Sequence, residues 1–453
     1  MIYDLAIIGA GPGGSNAAEY ASLNGLSVVI FEKKAVGGVC LNEGCVPTKT
    51  LLHSAHIYSK MLDGRKYAIS ATDPALDLPK LMARKNKILK KFGAGIKQGF
   101  VEKGVKLVEG SAYIKGKDSD GHYEVELDGE VYKSSKLIIA TGSETFIPPI
   151  KGLDGIDYWT SKEALENKEV PASLTVIGGG VIGMEFVSFF STLGTKVTVV
   201  EMLPKILGPM DEELSEELQS TFAKKGVKFY LNTKVTAVEA GKVFAENEEG
   251  KLEIESERIM VSVGRRPILA GFGLENLGLE VIKGGVKVNE HMQTSDPNVY
   301  ACGDITGFSL LAHTASREGQ VAVNHLLGRK DHMHYDAIPA VVYTDPEVSS
   351  VGKTERELKE AGIKYEVRKI PMTYSGRFVI ENEMVQGICK LILDENEIII
   401  GGHLLGNTTS EILTNITIAI EQKMDAETFS RIVFPHPTIS EIIHHNTFPH
   451  KMR

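Results

Sequence analysis

With 453 residues, 42% hydrophobic and 24% charged, the chain has enough apolar side chains for roughly three domains without structural disulfides. A net charge of −9 argues against a general nucleic-acid binder, and no stretch of about 18 apolar residues is present to span a membrane. Four cysteines in this length make no disulfide framework, so a reducing compartment is expected. Met1-Ile2-Tyr3-Asp4 lacks the basic start and long apolar core of a secretory signal, and a cytoplasmic location follows as the expectation.

Leu5-Ala6-Ile7-Ile8 reads as a buried strand that enters Gly9-Ala10-Gly11-Pro12-Gly13-Gly14. A helical pattern runs to about Leu23, Gly25 closes it, and Ser27 to Phe31 is a second strand ended by Glu32. Strand, glycine turn, helix, strand and acid in this order form a βαβ dinucleotide fingerprint. The glycines let the backbone approach a pyrophosphate at the helix N-terminus, and the carboxylate accepts from a ribose.

Next comes Gly37-Gly38-Val39-Cys40-Leu41-Asn42-Glu43-Gly44-Cys45-Val46-Pro47-Thr48-Lys49, which holds two of the four cysteines. On a straight helix, residues five apart lie ~7.5 Å apart along the axis. Disulfide Cα atoms are usually about 4.4–6.8 Å apart, so the pair needs a bend or a helix start between its members. Gly44 permits unusual backbone angles, and Pro47 suits a first helical turn. A helix start near Cys45 favours a thiolate there. From spacing alone, a structural staple, two buried thiols and a redox pair all remain open.

Residues 77–104 are helical in pattern and Lys-rich, and read as a solvated helical hairpin. Lys106 to Glu126 alternates as strands, and Leu137 to Ser143 is a buried strand ending in a glycine turn. Ile147-Pro148-Pro149 reads as a crossover out of the first domain. Then the fingerprint repeats. Leu174 to Ile177 enters Gly178-Gly179-Gly180-Val181-Ile182-Gly183, a helix runs to Leu193, and Lys196 to Val200 ends at Glu201. Gly9, Gly11, Gly14 and Glu32 map onto Gly178, Gly180, Gly183 and Glu201 with one constant offset of 169. Two such sites imply two dinucleotides, or one site and its silent copy. The segment from Ile259 to Pro267 closes the second domain. From about Tyr335 strands and then helices follow, with no third fingerprint. Near the end, His436 stands between Pro435 and Pro437, with Glu441 five residues on. A carboxylate partner would fix the tautomer and suit the imidazole for proton transfer near neutral pH.

The cysteine stretch carries Gly-Gly-x-Cys-x-x-x-x-Gly-Cys-x-Pro-Thr-Lys, and it resembles the redox site of the flavin-dependent pyridine-nucleotide disulfide oxidoreductases. The resemblance runs over nearly the whole chain. It implies an α/β fold of two Rossmann-like domains, for FAD and NAD, plus a C-terminal α+β dimerisation domain. The expected boundaries are 1–147 for FAD, 148–266 for NAD, 267–334 as a return to the FAD domain and 335–453 for the interface. Flavin contacts carry over to Gly9, Gly11, Pro12, Gly13, Gly14, Glu32, Lys33, Gly38, Val39, Lys49, Ala112, Thr141, Gly142 and Ser143. Val299 to Asp304 resembles the family's second flavin motif, where Asp304 would hold the ribityl chain. Leu310, Leu311, Ala312 and His313 would lie along the isoalloxazine. Nicotinamide-nucleotide contacts carry over to Gly178, Gly180, Gly183, Glu201, Val235 and Gly264. Cys302 reads as a small buried hydrophobe.

The resemblance also implies a chemistry. Cys40 would be the outer thiol, Cys45 the one beside the flavin, and His436 with Glu441 the acid–base dyad, reaching the disulfide of the other subunit of a homodimer. Lys49 would pair with Glu185, an acid that an otherwise apolar helix tolerates only when partnered. Position 434, often His in the family, is Phe here. Glu201 would accept from the 2′-OH of NAD and repel the 2′-phosphate of NADP. NADP-using relatives carry arginines just beyond this strand, whereas Met202 to Ile206 has one Lys and no Arg. The implied activity is oxidation of dihydrolipoyl groups with NAD⁺, on lipoyl domains of a 2-oxo acid dehydrogenase or glycine cleavage complex. Two rivals stay open: an NAD(P)H-dependent reductase of another small disulfide, and a flavoprotein scaffold without turnover. No metal, nucleic-acid or membrane role is expected, and His444, His445 and His450 are assigned none.

Overall fold

Glycine turns between runs of Val, Ile and Leu set the strand ends, and the computed structural model describes residues 1–383 and 385–448. His450 lies outside the described residues. The chain begins with β1 (Ile2–Ile8), α1 (Pro12–Leu23) and β2 (Val28–Glu32). Helices α2 (Gly38–Asn42), α3 (Cys45–Leu62) and α4 (Leu78–Glu102) follow. Then come β3 (Lys106–Glu109), β4 (Tyr113–Lys117), β5 (Tyr123–Leu127), β6 (Glu130–Ile139) and the short β7 (Ser143–Thr145). The next stretch holds α5 (Ser161–Glu166), β8 (Ser173–Ile177), α6 (Val181–Thr192), β9 (Lys196–Val200), α7 (Glu212–Lys224) and β10 (Lys228–Tyr230). A meander, β11 (Lys234–Glu239), β12 (Lys242–Asn247) and β13 (Gly250–Glu255), precedes β14 (Arg258–Val261). β15 (Arg265–Pro267), β16 (Val281–Ile282), β17 (Gly285–Val286), β18 (Val299–Ala301) and α8 (Ala312–Leu326) lead on. The last stretch is β19 (Ala340–Val342), β20 (Val348–Gly352), α9 (Glu355–Ala361), β21 (Glu366–Pro371), α10 (Gly376–Asn382), β22 (Ile388–Leu393), β23 (Ile399–Leu405), α11 (Thr409–Glu421), α12 (Ala426–Ser430) and α13 (Glu441–Asn446).

These elements form two compact units. The first contains residues 1–50, 78–146 and 264–334. Its sheet runs β3-β2-β1-β6-β5-β4, with β18 also on β6. The β3-β2-β1-β6-β18 part is parallel, and β5 and β4 join antiparallel. Helices cover a parallel sheet on both faces, which is why Leu5 to Ile8 and Val28 to Phe31 are continuous apolar runs, buried throughout. Helices α1 and α8 meet at glycine: a Cβ on Gly319 would lie 2.7 Å from the Gly13 carbonyl oxygen, and one on Gly13 3.0 Å from Cys302 Sγ. Cys302 is fully buried there, and burial pushes its thiol well up, so it is a packing residue.

The expected hairpin at 77–104 is instead one helix of 25 residues, α4. No proline interrupts it beyond the first turn, and Gly93 and Gly95 face open space where a side chain would touch nothing. Leu78, Leu81, Met82 and Phe100 are buried on one face, and that face makes a long helix more favourable than a turn.

The second unit contains residues 51–77, 147–263 and the chain from 335 onward. It holds a parallel sheet β10-β9-β8-β14, the β11-β12-β13 meander and an antiparallel sheet β19-β20-β23-β22-β21. Lys390 on β22 is buried among three carboxylates. Its Nζ lies 2.9 Å from Asp211, 2.9 Å from Glu213 and 3.1 Å from Glu355. Burial disfavours its charge, but the carboxylates more than offset that, and Lys390 stays protonated. Burial raises and Lys390 lowers each acid, with a net shift below the usual carboxylate range.

Lys390→Met should therefore cost about 3–5 kcal/mol of unfolding free energy, because three carboxylates lose their cation. The depressed acids add stability that is complete above their unfolded-state values and lost as pH falls through the lower folded values, below about pH 4. Melting curves from pH 7 to pH 3 should show wild type losing more stability in acid than Lys390→Met. Equal slopes would show that the cluster adds nothing.

Candidate active site

Two turns in the structure have the same geometry. Gly9 has φ +105°, and a Cβ there would sit 2.3 Å from the Ala140 carbonyl oxygen. A Cβ on Gly14 would sit 2.0 Å from the Gly9 oxygen. In the second copy, Gly178 has φ +104°, with Cβ contacts of 2.4 Å from Gly178 to Ser262 and from Gly183 to Gly178. Gly11 and Gly180 each precede their helix in extended conformation without a side-chain cap. The first-turn N–H groups of α1 and α6 thus face outward with their positive partial charge. Pro12 at the first position of α1 gives up only an N–H that the helix does not use.

The acids match as well. Glu32 accepts from Ala10 N at 2.9 Å and Lys34 N at 2.8 Å. Glu201 accepts from Gly179 N at 2.6 Å and Leu203 N at 2.8 Å. Each oxygen keeps a second lone pair for a ribose hydroxyl. A pyrophosphate and a ribose fit both cradles. Lys33 is exposed beyond Glu32, and Gly38 lies against Gly11, where a Cβ would be 2.8 Å from the Gly11 Cα.

Around the first cradle, Ser143 Oγ donates to Asp304 at 2.5 Å and accepts from Arg265 Nε at 2.8 Å. Arg265 also donates to the Ser143 carbonyl at 2.8 Å. Burial holds the Asp304 carboxyl above its usual range, against the pull of Ser143 and Arg265. Glu318, fully buried on α8, accepts from Gly303 N at 2.6 Å and so fixes the turn that carries Asp304. Sequence reasoning gave neither Arg265 nor Glu318 a role. The signal was present: a charge beside apolar positions, Glu318 near Ala315 and Val321, is the pattern that singled out Glu185.

The other expected residues are placed as follows. Thr141 donates to the Ile268 carbonyl at 3.2 Å, and Gly142 has φ +72°. Leu311 caps α8, with Leu310 and His313 exposed beside it and Ala312 half-buried. Ala112 is buried in the core with Ile114 and Phe31. Val235 pairs with Ala245 at a bulge in the meander, and Gly264, φ +120°, accepts from Phe146 N.

The cysteines straddle a helix break. α2 ends at Asn42 and α3 starts at Cys45, with Glu43-Gly44 between. Asn42 holds the α2 start by donating to Gly38 O at 2.9 Å, and Thr48 ties α3 to the break by donating to Gly44 O at 2.6 Å. A Cβ on Gly44 would lie 3.1 Å from the Val39 oxygen, so this position suits glycine. Cys40 is half-buried and Cys45 exposed, both as thiols, and Val39 is half-buried between Gly38 and Cys40. The hydrogen bond to Cys45 and then burial push the Cys40 thiol strongly up, while the Lys49 cation opposes this.

In the second unit, His436 Nδ1 lies 2.9 Å from Glu441 Oε1. The other Glu441 oxygen accepts from Thr438 N at 2.8 Å. Burial raises Glu441, but the Thr438 N–H and His436 outweigh it and keep the carboxylate below its usual range. The imidazole is 78% exposed, so Nε2 faces outward for another partner. Phe434 packs against Phe429 and His444, and it joins Ile418, Met424 and Val433 along an apolar groove. Glu185 is buried in α6, and its Oε1 accepts from Tyr343 N at 3.1 Å.

The sequence profile described as pyridine nucleotide-disulphide oxidoreductase matches residues 3–319, and that of the corresponding dimerisation domain matches residues 338–447. A dihydrolipoyl dehydrogenase of Thermus scotoductus is 38% identical over 449 residues, covering 97% of this chain and 95% of that protein. The mitochondrial dihydrolipoyl dehydrogenase of Pisum sativum is 36% identical over 451 residues, with 97% and 90% covered. Among solved structures, LpdA from Mycobacterium tuberculosis shares the fold with a TM-score of 0.90 at 24% identity, over 98% of each chain.

The duplicated cradle separates two binding events. Gly14→Ala should purify without the visible spectrum of bound flavin, because its Cβ meets the Gly9 oxygen. Gly183→Ala should keep that spectrum and fail to be bleached by NADH. Flavin bound normally in Gly14→Ala would remove the first cradle from consideration.

Proposed function

The chain belongs to the pyridine nucleotide-disulphide oxidoreductase family, a flavoprotein family that uses FAD and NAD, and from that premise we propose that it oxidises protein-bound dihydrolipoyl groups to lipoyl disulfides with NAD⁺ as final acceptor. The Cys40–Cys45 pair carries this reading, two thiols in hydrogen-bonding reach across a helix break. Bound FAD supplies the two-electron link between that pair and the nicotinamide.

The thiol half-reaction begins from the oxidised pair. His436, oriented through Nδ1 by Glu441, takes a proton from one substrate thiol at Nε2. That proton transfer matters because a free thiol of pKa about 8.5 is mostly protonated at pH 7. The thiolate attacks Cys40 Sγ, the Cys40–Cys45 bond breaks, and Cys45 leaves as a thiolate. His436 passes its proton to the Cys40 sulfur as that sulfur departs under attack by the second substrate thiol on the substrate sulfur of the mixed disulfide, and it then takes up the proton of that thiol. Substrate has lost two electrons and two protons, and the cysteine pair holds the electrons. Lys49, one turn after Cys45, places a cation near the new thiolate.

Glu201 sets the nicotinamide preference: its carboxylate accepts from a ribose and repels a 2′-phosphate. The dimerisation domain supports a homodimer in which His436 of one subunit serves the cysteines of the other. Val433 is 92% exposed and Ile432 43% exposed, three and four residues before the catalytic imidazole. Covering a fully exposed side chain such as Val433 is worth about 1.5–3 kcal/mol, and a second copy is a fitting cover.

A panel of dihydrolipoamide, reduced glutathione and other dithiols, each with NAD⁺ and NADP⁺, tests the substrate. Preference for any pair other than dihydrolipoamide with NAD⁺ would overturn the proposal. Glu201→Ala should bring kcat/KM for NADPH closer to that for NADH, and an unchanged ratio would show that this acid does not read the ribose. His436→Ala should slow the thiol half-reaction about 10²–10⁴-fold and leave flavin reduction by NADH near wild type in stopped flow. Mixing inactive Cys45→Ser with inactive His436→Ala should restore about one quarter of wild-type sites if dimers form at random. Subunit exchange seen by mass without recovered activity would confine His436 to its own subunit.

A further inference from the structure

The imidazole proposed as the base stands on an exposed stretch. Val433, Pro435, His436 and Pro437 are all exposed. The direction of the ring therefore depends on Glu441, which holds Nδ1, and on whatever holds Glu441. Glu441 opens α13, a helix of six residues. A helix this short is unstable alone and takes its place from its contacts. Ile439, Ile442 and Ile443 are buried with Leu391 and Leu404 in one apolar cluster. Apolar burial has no direction, so it holds the helix down without fixing its slide or its turn about its own axis.

Two buried polar side chains supply that direction. Ser375 is 1% exposed. Its Oγ donates to the Thr438 carbonyl at 3.0 Å and accepts from Phe378 N, in the first turn of α10, at 3.2 Å. Thr438 N donates to Glu441 at 2.8 Å. Both polar backbone atoms of Thr438 are thus fixed, one by Ser375 and one by Glu441 itself. At the far end of α13, Asn446 is fully buried. Its Nδ2 donates to the Arg368 carbonyl on β21 at 2.9 Å and to the Cys389 carbonyl on β22 at 3.0 Å. Both amide hydrogens are used, and the two acceptors lie on strands that pair with each other. The buried guanidinium of Arg368 donates in turn to the Thr447 carbonyl. An apolar side chain would fill either place without the cost of burying polar atoms. What Ser375 and Asn446 add over it is direction.

We propose that Ser375 and Asn446 are positioning residues for His436. They fix the two ends of the segment that carries Glu441, and through Glu441 they set where the imidazole Nε2 points. No proton passes through them. The inference rests on the function proposed above and deepens it, by naming what aims its base.

The test is a double-substitution cycle on the holoenzyme, read in stopped flow. Flavin reduction by dihydrolipoamide reports the thiol half-reaction, and flavin reduction by NADH is the control. Ser375→Ala should slow the thiol half-reaction on the order of ten-fold, because a small displacement of a reacting group is costly. The control should stay within about two-fold of wild type. The same substitution added to His436→Ala should cost less than about two-fold more, since the group it aims is already gone. Asn446→Ala should behave in the same way in both backgrounds. A residue that only supports the fold or the dimer would cost equally with and without His436. That result, or no loss in the enzyme that keeps His436, overturns the proposal for the residue concerned. An Asn446→Ala protein that purifies without flavin would place Asn446 in the fold and strike it from the proposal, and Ser375→Ala then decides alone. The functional reading fails separately: His436→Ala by itself would leave the thiol half-reaction unchanged, before either positioning residue is touched.

Discussion

Two backbone contacts leave no room for a side chain, and the rest of the molecule is arranged around them. Where Gly14 crosses the carbonyl of Gly9, and Gly183 that of Gly178, the helix is pulled against the end of its strand. That approach points the uncapped first turn of α1 and α6 at whatever lies beyond the sheet, and it brings Glu32 and Glu201 level with the turn. A helix set back by one methyl group would still pack, but its N–H groups would lie too far out to grip a pyrophosphate. The parallel sheet, the apolar strands and the α1–α8 glycine contact keep that geometry rigid.

Carboxylates fix the other functional turns by accepting backbone N–H groups. Glu318 holds Gly303 beside Asp304, Glu185 holds Tyr343, and Glu441 holds Thr438 while it orients His436. Hydrogen bonds to an ionised acceptor are short and strong, and they place a loop without a sheet ladder. The last of these acids also meets a side chain that the sequence marks as a proton carrier, His436. Asp304 differs: Ser143 and Arg265 address it from the side chain, and burial keeps its carboxyl high.

Much of this was legible in the sequence because local rules sufficed. The two fingerprints, the terminal acids, the helix break between the cysteines and the reach of Glu441 to His436 all follow from spacing within a few residues. The doubly wound sheet follows from the order of strands and glycine turns. Less legible were contacts between distant segments. Arg265 meets Ser143 across more than a hundred residues, and only the pairing of their strands brings them together. The Lys390 cluster joins β22 to the start of α7 in the same way. The hairpin expected at 77–104 failed for another reason. Glycines at 93, 95 and 99 resemble a turn in one dimension, but the buried face of α4 runs past them from Leu78 to Phe100 and carries the helix through.

The pairing of β7 with β15 has a consequence for how such a chain can be assembled. Ser143–Thr145 leaves the first unit and Arg265–Pro267 returns to it as neighbouring antiparallel strands, and Phe146 N meets the Gly264 carbonyl at 3.0 Å. Residues 147–263 therefore hang from two points that already touch. The entropy of closing that long loop grows only slowly with its length, and both ends are secured by the β7–β15 pair, a two-stranded sheet of its own. An insertion of this form is a cassette: its length and content can change while the two strands at its mouth stay zipped. Replacing it with a short turn between 146 and 264 should leave the order β3-β2-β1-β6-β5-β4, with β18 on β6, unchanged, because none of those strands lies within the cassette.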